Sequence, residues 1–460
     1  MLYIVIITAY KNRYYFENKV YQNKIFYSIQ RNDVYMKEDF LHYIWQNGFF
    51  KHQELTTVQR EPLRIINRGR HNTNAGPDFL NARILIDTIH WAGHVEIHKY
   101  SSDWYAHGHE KDPAYDNVIL HVVYEDNMPV YNSNNVQIPT LELSKFVLKG
   151  VLKRYNKLIK NKSILRCQND IQQIDKFAII NYKYRLFIER LEMKHKIIDQ
   201  LLTDTNNNWD QVFYQTLLKY IGGHVNKEAF ELLGRLLPYK IFYKYKDNLL
   251  KMEALLFGTA GFLEEKRDDV YYQLLQLEYR FLKNKHQLKQ LPPNTVRFHR
   301  MRPSNFPTIR LAQLAQLYFQ NNHLFEKLVG IKQPQDAYNI LNTTASAYWD
   351  THYNFEKSTK YQKKYIGRDF MDVILINVII PLKFAYQKYR GEYNADLIIS
   401  LIESIKAEKN RIVSIFNKIN LKSRNALDTQ AILQLNENYC SQNKCLSCDI
   451  GHYILKQGIQ

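Results

Sequence analysis

Cysteine is scarce in this chain, long apolar runs are missing, and acidic residues are thin over its last two-thirds. Four cysteines in 460 residues fit a reducing compartment, where thiols hold metals more often than they pair. No apolar run approaches the ~18–20 residues of a membrane helix, so no membrane partner is expected. The opening MLYIVIITAY has no basic stretch before it and no small-residue cleavage site after it, which argues against a secretion signal. A cytoplasmic protein is expected. With 45% apolar and 14% aromatic residues, the chain is globular and long enough for two or three domains.

The shortage of acid is local. Residues 36–150 hold 11 Lys/Arg against 14 Asp/Glu, whereas residues 151–460 hold 47 against 29. A mildly acidic segment is therefore joined to a strongly basic one, as suits a metal-dependent site beside a surface that attracts a polyanion such as nucleic acid. A Lys-, Asn- and Tyr-rich composition imposed by AT-rich coding explains the excess equally well.

Residues 1–35 show no clean period and read as a non-native or poorly packed extension before Met36. The run MKEDFLHYIWQNGFF has Phe40, Ile44 and Trp45 at helical spacing. The period then shifts towards two, in LRIINRG, ARILID, HWAGHVEIHK, NVILHVVYED and QIPTLEL, each bounded by turn residues. After Gly150 helical spacing prevails, with KFAIINYKYRLFIERLEMKHKIIDQLL the longest such run. The expected fold is α+β: a mixed-sheet α/β domain over 36–150, then a basic, mostly helical domain over 151–460.

Gly76–His121 concentrates the chemistry. Nine of the chain's 16 histidines fall within 36–150. Glu96 and His98 stand two apart on one strand and so share a face, with Asp78 leading a neighbouring strand. Two carboxylates suffice for Mg²⁺ or Mn²⁺, which keep several waters, and an ion there would polarise a phosphoryl oxygen. His107, His109, Asp112 and His121 would serve as auxiliaries or proton carriers. Each has an ordinary alternative: a lone strand histidine is usually a structural hydrogen-bonder, and Asp78 after Gly-Pro can be a turn residue.

GPDFLNARI, W-x-G-x-VEIH, SDW, HGH, D-x-AY and V-x-LHVV resemble an uncharacterised bacterial family of unknown function, as do RPSNFPTIRLAQLA and the C-terminal C-x₄-C-x₂-C. More distantly, Asp78 followed by Glu96-x-His98 is similar to the restriction-endonuclease-like superfamily, whose pattern is an Asp on one strand and Glu/Asp-x-Lys on the next. That resemblance implies a nuclease in which Asp78 and Glu96 hold Mg²⁺ and position 98 takes the lysine's role. His98 departs from it, which puts hydrolysis in doubt and leaves a degenerate nuclease open.

Cys167, Cys440, Cys445 and Cys448 supply four thiolates, enough for Zn²⁺ or a [4Fe–4S] cluster. His452 is an alternative fourth ligand, and unligated cysteines are the plain one. In RMRPSNFPTIRLAQLA, Ser304 or Asn305 can cap a helix whose N-terminus gathers Arg300, Arg302 and Arg310. They would clamp a phosphate or lock helices by pairing with acids. The reading favoured is a metal-dependent nuclease or a degenerate one. A non-catalytic nucleic-acid-binding or scaffold protein and a hydrolase of a small substrate are the alternatives. The oligomeric state is not readable.

Overall fold

The computed structural model describes residues 36–419 and 421–458. The expected N-terminal extension lies outside them. By contacts the chain separates into two units: residues up to Ile171 together with Cys445 onwards, and Gln172–Lys444.

The first unit is built on a six-stranded mixed sheet. Helix α1 (Glu38–Asn47) comes first and ends on Gly48, whose φ of +67° suits a left-handed cap. Strands β1 (Leu63–Asn67), β2 (Arg70–His71), β3 (Phe79–Ile86) and β4 (Ile89–Tyr100) follow. β1 and β2 both pair antiparallel with β3, and β3 pairs antiparallel with β4. β5 (Val118–Glu125) then lies parallel to β4, and β6 (Thr140–Glu142) parallel to β5. Parallel neighbours need a crossover. Here it is short, made of helix α2 (Asp103–Ala106) and two 3₁₀ turns, His109–Lys111 and Pro113–Tyr115.

The sheet buries Ile84, Val95, Ile97, Leu120 and Val122 against Phe40, Leu41 and Ile44 of α1 and Val151 and Tyr155 of helix α3 (Lys149–Lys160). Each such side chain contributes ~1.5–3 kcal/mol on leaving water. Gly93 sits where β4 meets the start of β5: a Cβ there would fall 2.5 Å from the Asn117 carbonyl oxygen and from Ile119 Cγ2. The last helix, Asp449–Lys456, belongs to this unit and not to the helical one that its sequence position suggested. Leu455 enters the same core, its carbonyl accepts from Arg154 Nε at 3.0 Å, and His452 Nδ1 lies 2.9 Å from the Tyr43 hydroxyl.

The second unit is helical. Its elements include α4 (Lys176–Asp204), α5 (Trp209–Ile221), α6 (Gly223–Leu236), α7 (Tyr239–Tyr243), α8 (Leu249–Thr259), α9 (Val270–His286) and α10 (Pro307–Gln320), with shorter helices as far as Leu435. Asp175 caps α4 by accepting from Ala178 N, and a buried Lys183–Asp428 pair at 3.0 Å joins α4 to the helix starting at Ala426. Among the described residues no helix is long and apolar enough to cross a membrane.

Candidate metal centre

Alternation along β4 separates two kinds of side chain. Val95 and Ile97 enter the core, while Glu96 and His98, also buried, turn towards the crossover. Parallel pairing sets His121 of β5 level with Glu96. From there its Nε2 lies 2.8 Å from His98 Nδ1. On the other side, His98 Nε2 is 3.0 Å from His107 Nδ1, and Glu96 Oε1 is 3.3 Å from His109 Nε2 and 3.6 Å from His98 Nε2. The ligand atoms of His98, His107 and His109 all lie within 4.8 Å of one another.

Aromatic rings hold this cluster. Tyr115 stacks on His109 at 3.8 Å, and buried Trp104 meets His109 and His121 edge-on at 5.3 and 5.4 Å. In such surroundings a charged ring is costly. Burial, reinforced by His121, His107 and His109, pushes His98 down to about 2. Burial with His109 pushes His121 down to about 3. His98 is thus a neutral imidazole at neutral pH, and the fixed positive charge of a lysine is missing from this position.

The carboxylates are bound to backbone. Asp78 N donates to Glu96 Oε2 at 3.0 Å, and Ile97 N donates to Asp78 Oδ2 at 2.9 Å. The two are therefore brought together, as their spacing suggested, with one oxygen of each already accepting from the sheet. Burial raises Glu96, outweighing its contact with His109.

Two partners were missed in the sequence. His42 Nε2 of α1 lies 3.2 Å from Asp78 Oδ2. Burial disfavours its charge, but the Asp78 carboxylate outweighs that and the ring's pKa rises. Glu38, one turn earlier, is pushed up to about 7 by burial, with His42 working against the rise and Asp78 and Glu96 adding to it. The i,i+4 spacing of Glu38 and His42 on a recognised helix was the available signal.

Other candidates have different surroundings. Asp112 is exposed and caps the second 3₁₀ turn, Oδ1 accepting from Ala114 N at 2.9 Å. Arg310 is buried at the start of α10, where it donates to Gln313 Oε1 at 2.8 Å and Asn305 Oδ1 at 2.6 Å and lies 3.6 Å over the Phe370 ring. Its partners are neutral amides, and burial pulls it down to about 10. Arg300 and Arg302 are exposed. Cys167, Cys445 and Cys448 share the first unit, whereas Cys440 belongs to the second. Burial, then the charges of Cys448 and Cys445, push the Cys167 thiol up to about 12. His452 has its Nδ1 engaged by Tyr43.

The histidine cluster fits a metal. Its donors converge from β4 and from the crossover, and buried His109 Nε2 has the Glu96 carboxylate 3.3 Å away, so nitrogen and oxygen ligands face one point.

The profile of a family described as "Protein of unknown function (DUF2851)" matches residues 38–411. Cys440, Cys445 and Cys448 fall beyond that span. No curated protein and no solved structure matches the chain. With α1, the whole sheet, the histidine cluster and most of the helices inside the matched residues, this chain belongs to the DUF2851 family.

Proposed function

We propose that the first unit is a metal-dependent phosphodiesterase acting on nucleic acid, with the ion held by His98, His107 and His109 and Glu96 beside them. The observation that carries this reading is the convergence of three imidazoles within 4.8 Å next to a buried carboxylate. Nitrogen donors favour Zn²⁺, Mn²⁺ or Fe²⁺ over Mg²⁺, which revises the metal expected from the carboxylates alone. When bound, such an ion supplies a Lewis acid and an acidified water.

The chain's own groups have separate tasks in this reading. His121 orients His98 through Nδ1, leaving Nε2 for the ion. Asp78, locked to the Ile97 amide, keeps Glu96 turned towards the histidines by donating its own amide. Glu38, with a carboxyl near 7, can hold or release a proton beside Asp78. Support for nucleic acid as substrate comes from the basic residues 151–460 and from the strand arrangement, an Asp opening one strand and Glu-x-His on its antiparallel neighbour, which is similar to the restriction-endonuclease-like pattern.

The test is metal analysis of the purified protein, followed by incubation with labelled DNA and RNA under each divalent ion. Cleavage that disappears in His109→Ala and Glu96→Gln is expected; cleavage undiminished in both would overturn the assignment. A second reading, a non-catalytic nucleic-acid binder with a structural network here, is favoured by the backbone hydrogen bonds that occupy Asp78 and Glu96. Salt-dependent binding without turnover would establish it.

A further inference from the structure

Helix α9 has two apolar faces. Tyr272, Leu275, Tyr279 and Leu282 are buried in the helical unit's core, and Tyr279 packs so closely on α8 that a Cβ at Gly258 would fall 2.1 Å from its ring. Val270, Leu274, Leu277 and Phe281 stand on the other side at 74%, 47%, 67% and 58% exposure. Their spacing is four, three, four, which is the a/d seam of a coiled coil over two heptads. Scattered exposed apolar residues are ordinary, whereas a regular stripe of four on one 17-residue helix is a patch.

We propose that two copies of this chain pair through α9, antiparallel, about a two-fold axis passing between Leu274 and Leu277. That axis sets Val270 of one copy against Phe281 of the other and Leu274 against Leu277, so the surface is complementary to itself, as a two-fold interface must be. The flanking residues choose the direction. A parallel pair would bring Arg280 of one helix against Lys285 of the other; the antiparallel pair brings Arg280 to Gln273 and Glu278 to Tyr271. The four side chains remove roughly 400 Å² per copy from water, and the flanks carry the total over both copies to about the 1,000 Å² at which specific interfaces begin. An interface at this lower end of the size range is that of a weak, transient pair, so a reversible dimer is the expectation tested.

The experiment is sedimentation velocity of the full chain at concentrations between about 1 and 100 µM, where a micromolar Kd is read. A concentration-dependent dimer is expected for the wild type, and Leu277→Glu should weaken it by about 100-fold or more, because the new carboxylate would be buried against Leu274 of the other copy. Position 277 is exposed, so circular dichroism should match the wild type. If that variant misfolds, Val270→Lys with Phe281→Lys tests the ends of the same seam. A wild type that stays monomeric throughout, or a dimer indifferent to both variants, overturns the proposal, and the stripe then belongs to a different partner.

Discussion

Acid should loosen the histidine cluster before it affects much else. His98 and His121 are held near 2 and 3 in the folded chain against 6.5 when unfolded. Both pKa values are depressed, so their contribution is complete above pH 6.5 and is lost as pH falls below it, while the unfolded state takes up protons that the native state refuses. Between pH 6.5, where half of the unfolded rings are already protonated, and pH 5 each ring forfeits about 1.7 kcal/mol, about 3.3 kcal/mol for the pair. A domain with ~5–15 kcal/mol in hand feels that loss. Glu38 works the other way: its raised carboxyl takes up a proton in the folded state as pH falls from about 7, returning about 1 kcal/mol once its half-exposed position is allowed for. Glu96 and His42, both raised, act in the same direction as Glu38. The clean measurement is therefore a difference. Urea unfolding followed by tryptophan fluorescence, in the presence of a chelator, gives the drop in stability from pH 6.5 to 5 for wild type and for His121→Leu. The drop should be about 1.7 kcal/mol smaller in the variant. Equal drops in the two proteins would refute the assignment of a neutral, buried His121.

Three further outcomes follow from the first unit. In chelator competition His109→Ala should lose most of the metal affinity, and His121→Leu, which removes only the support of His98, should lose ~10–100-fold; retention of affinity in His109→Ala would remove that ligand from the set. Gly93→Val should destabilise the sheet unit by ~1–3 kcal/mol through the clash with Asn117 and Ile119, read as a lowered Tm, and an unchanged Tm would show that β4 and β5 can part there. If Cys167, Cys445 and Cys448 hold an ion, Cys445→Ser should release it, with loss of visible absorbance for an iron–sulfur cluster and loss of zinc by elemental analysis otherwise. All four thiols reacting at once in the native wild type would rule out both.

The strands were legible because β-period alternation survives in ARILID and VEIH, and their order follows from the tight turn between β3 and β4 and the crossovers that lead into β5 and β6. Asp78, Glu96 and His98 could be placed together because residues two apart on a strand share a face. Glu38 and His42 escaped notice because their helix was read for its core residues, Phe40 and Ile44, and its polar face seemed to need no account. That His98 is flanked by His121 on one nitrogen and His107 on the other depends on the register of β5 and on how tightly the crossover turns. Neither is written in local periodicity. The same is true of Arg310, whose partners come from one turn before and one turn after it, and of the last helix, whose core contact with α1 spans almost the whole chain.

That last helix has a consequence for how the protein is made. Leu455 completes a core begun by Phe40, so the sheet unit cannot finish while residues 172–444 are still being translated. At ~5–20 residues per second, the nascent sheet waits roughly 15–55 s for its closing piece. During that time the apolar side of α3 and the end of α1 near Tyr43 face whatever the ribosome's surroundings offer. The helical unit, contiguous in sequence, has no such wait and can close first.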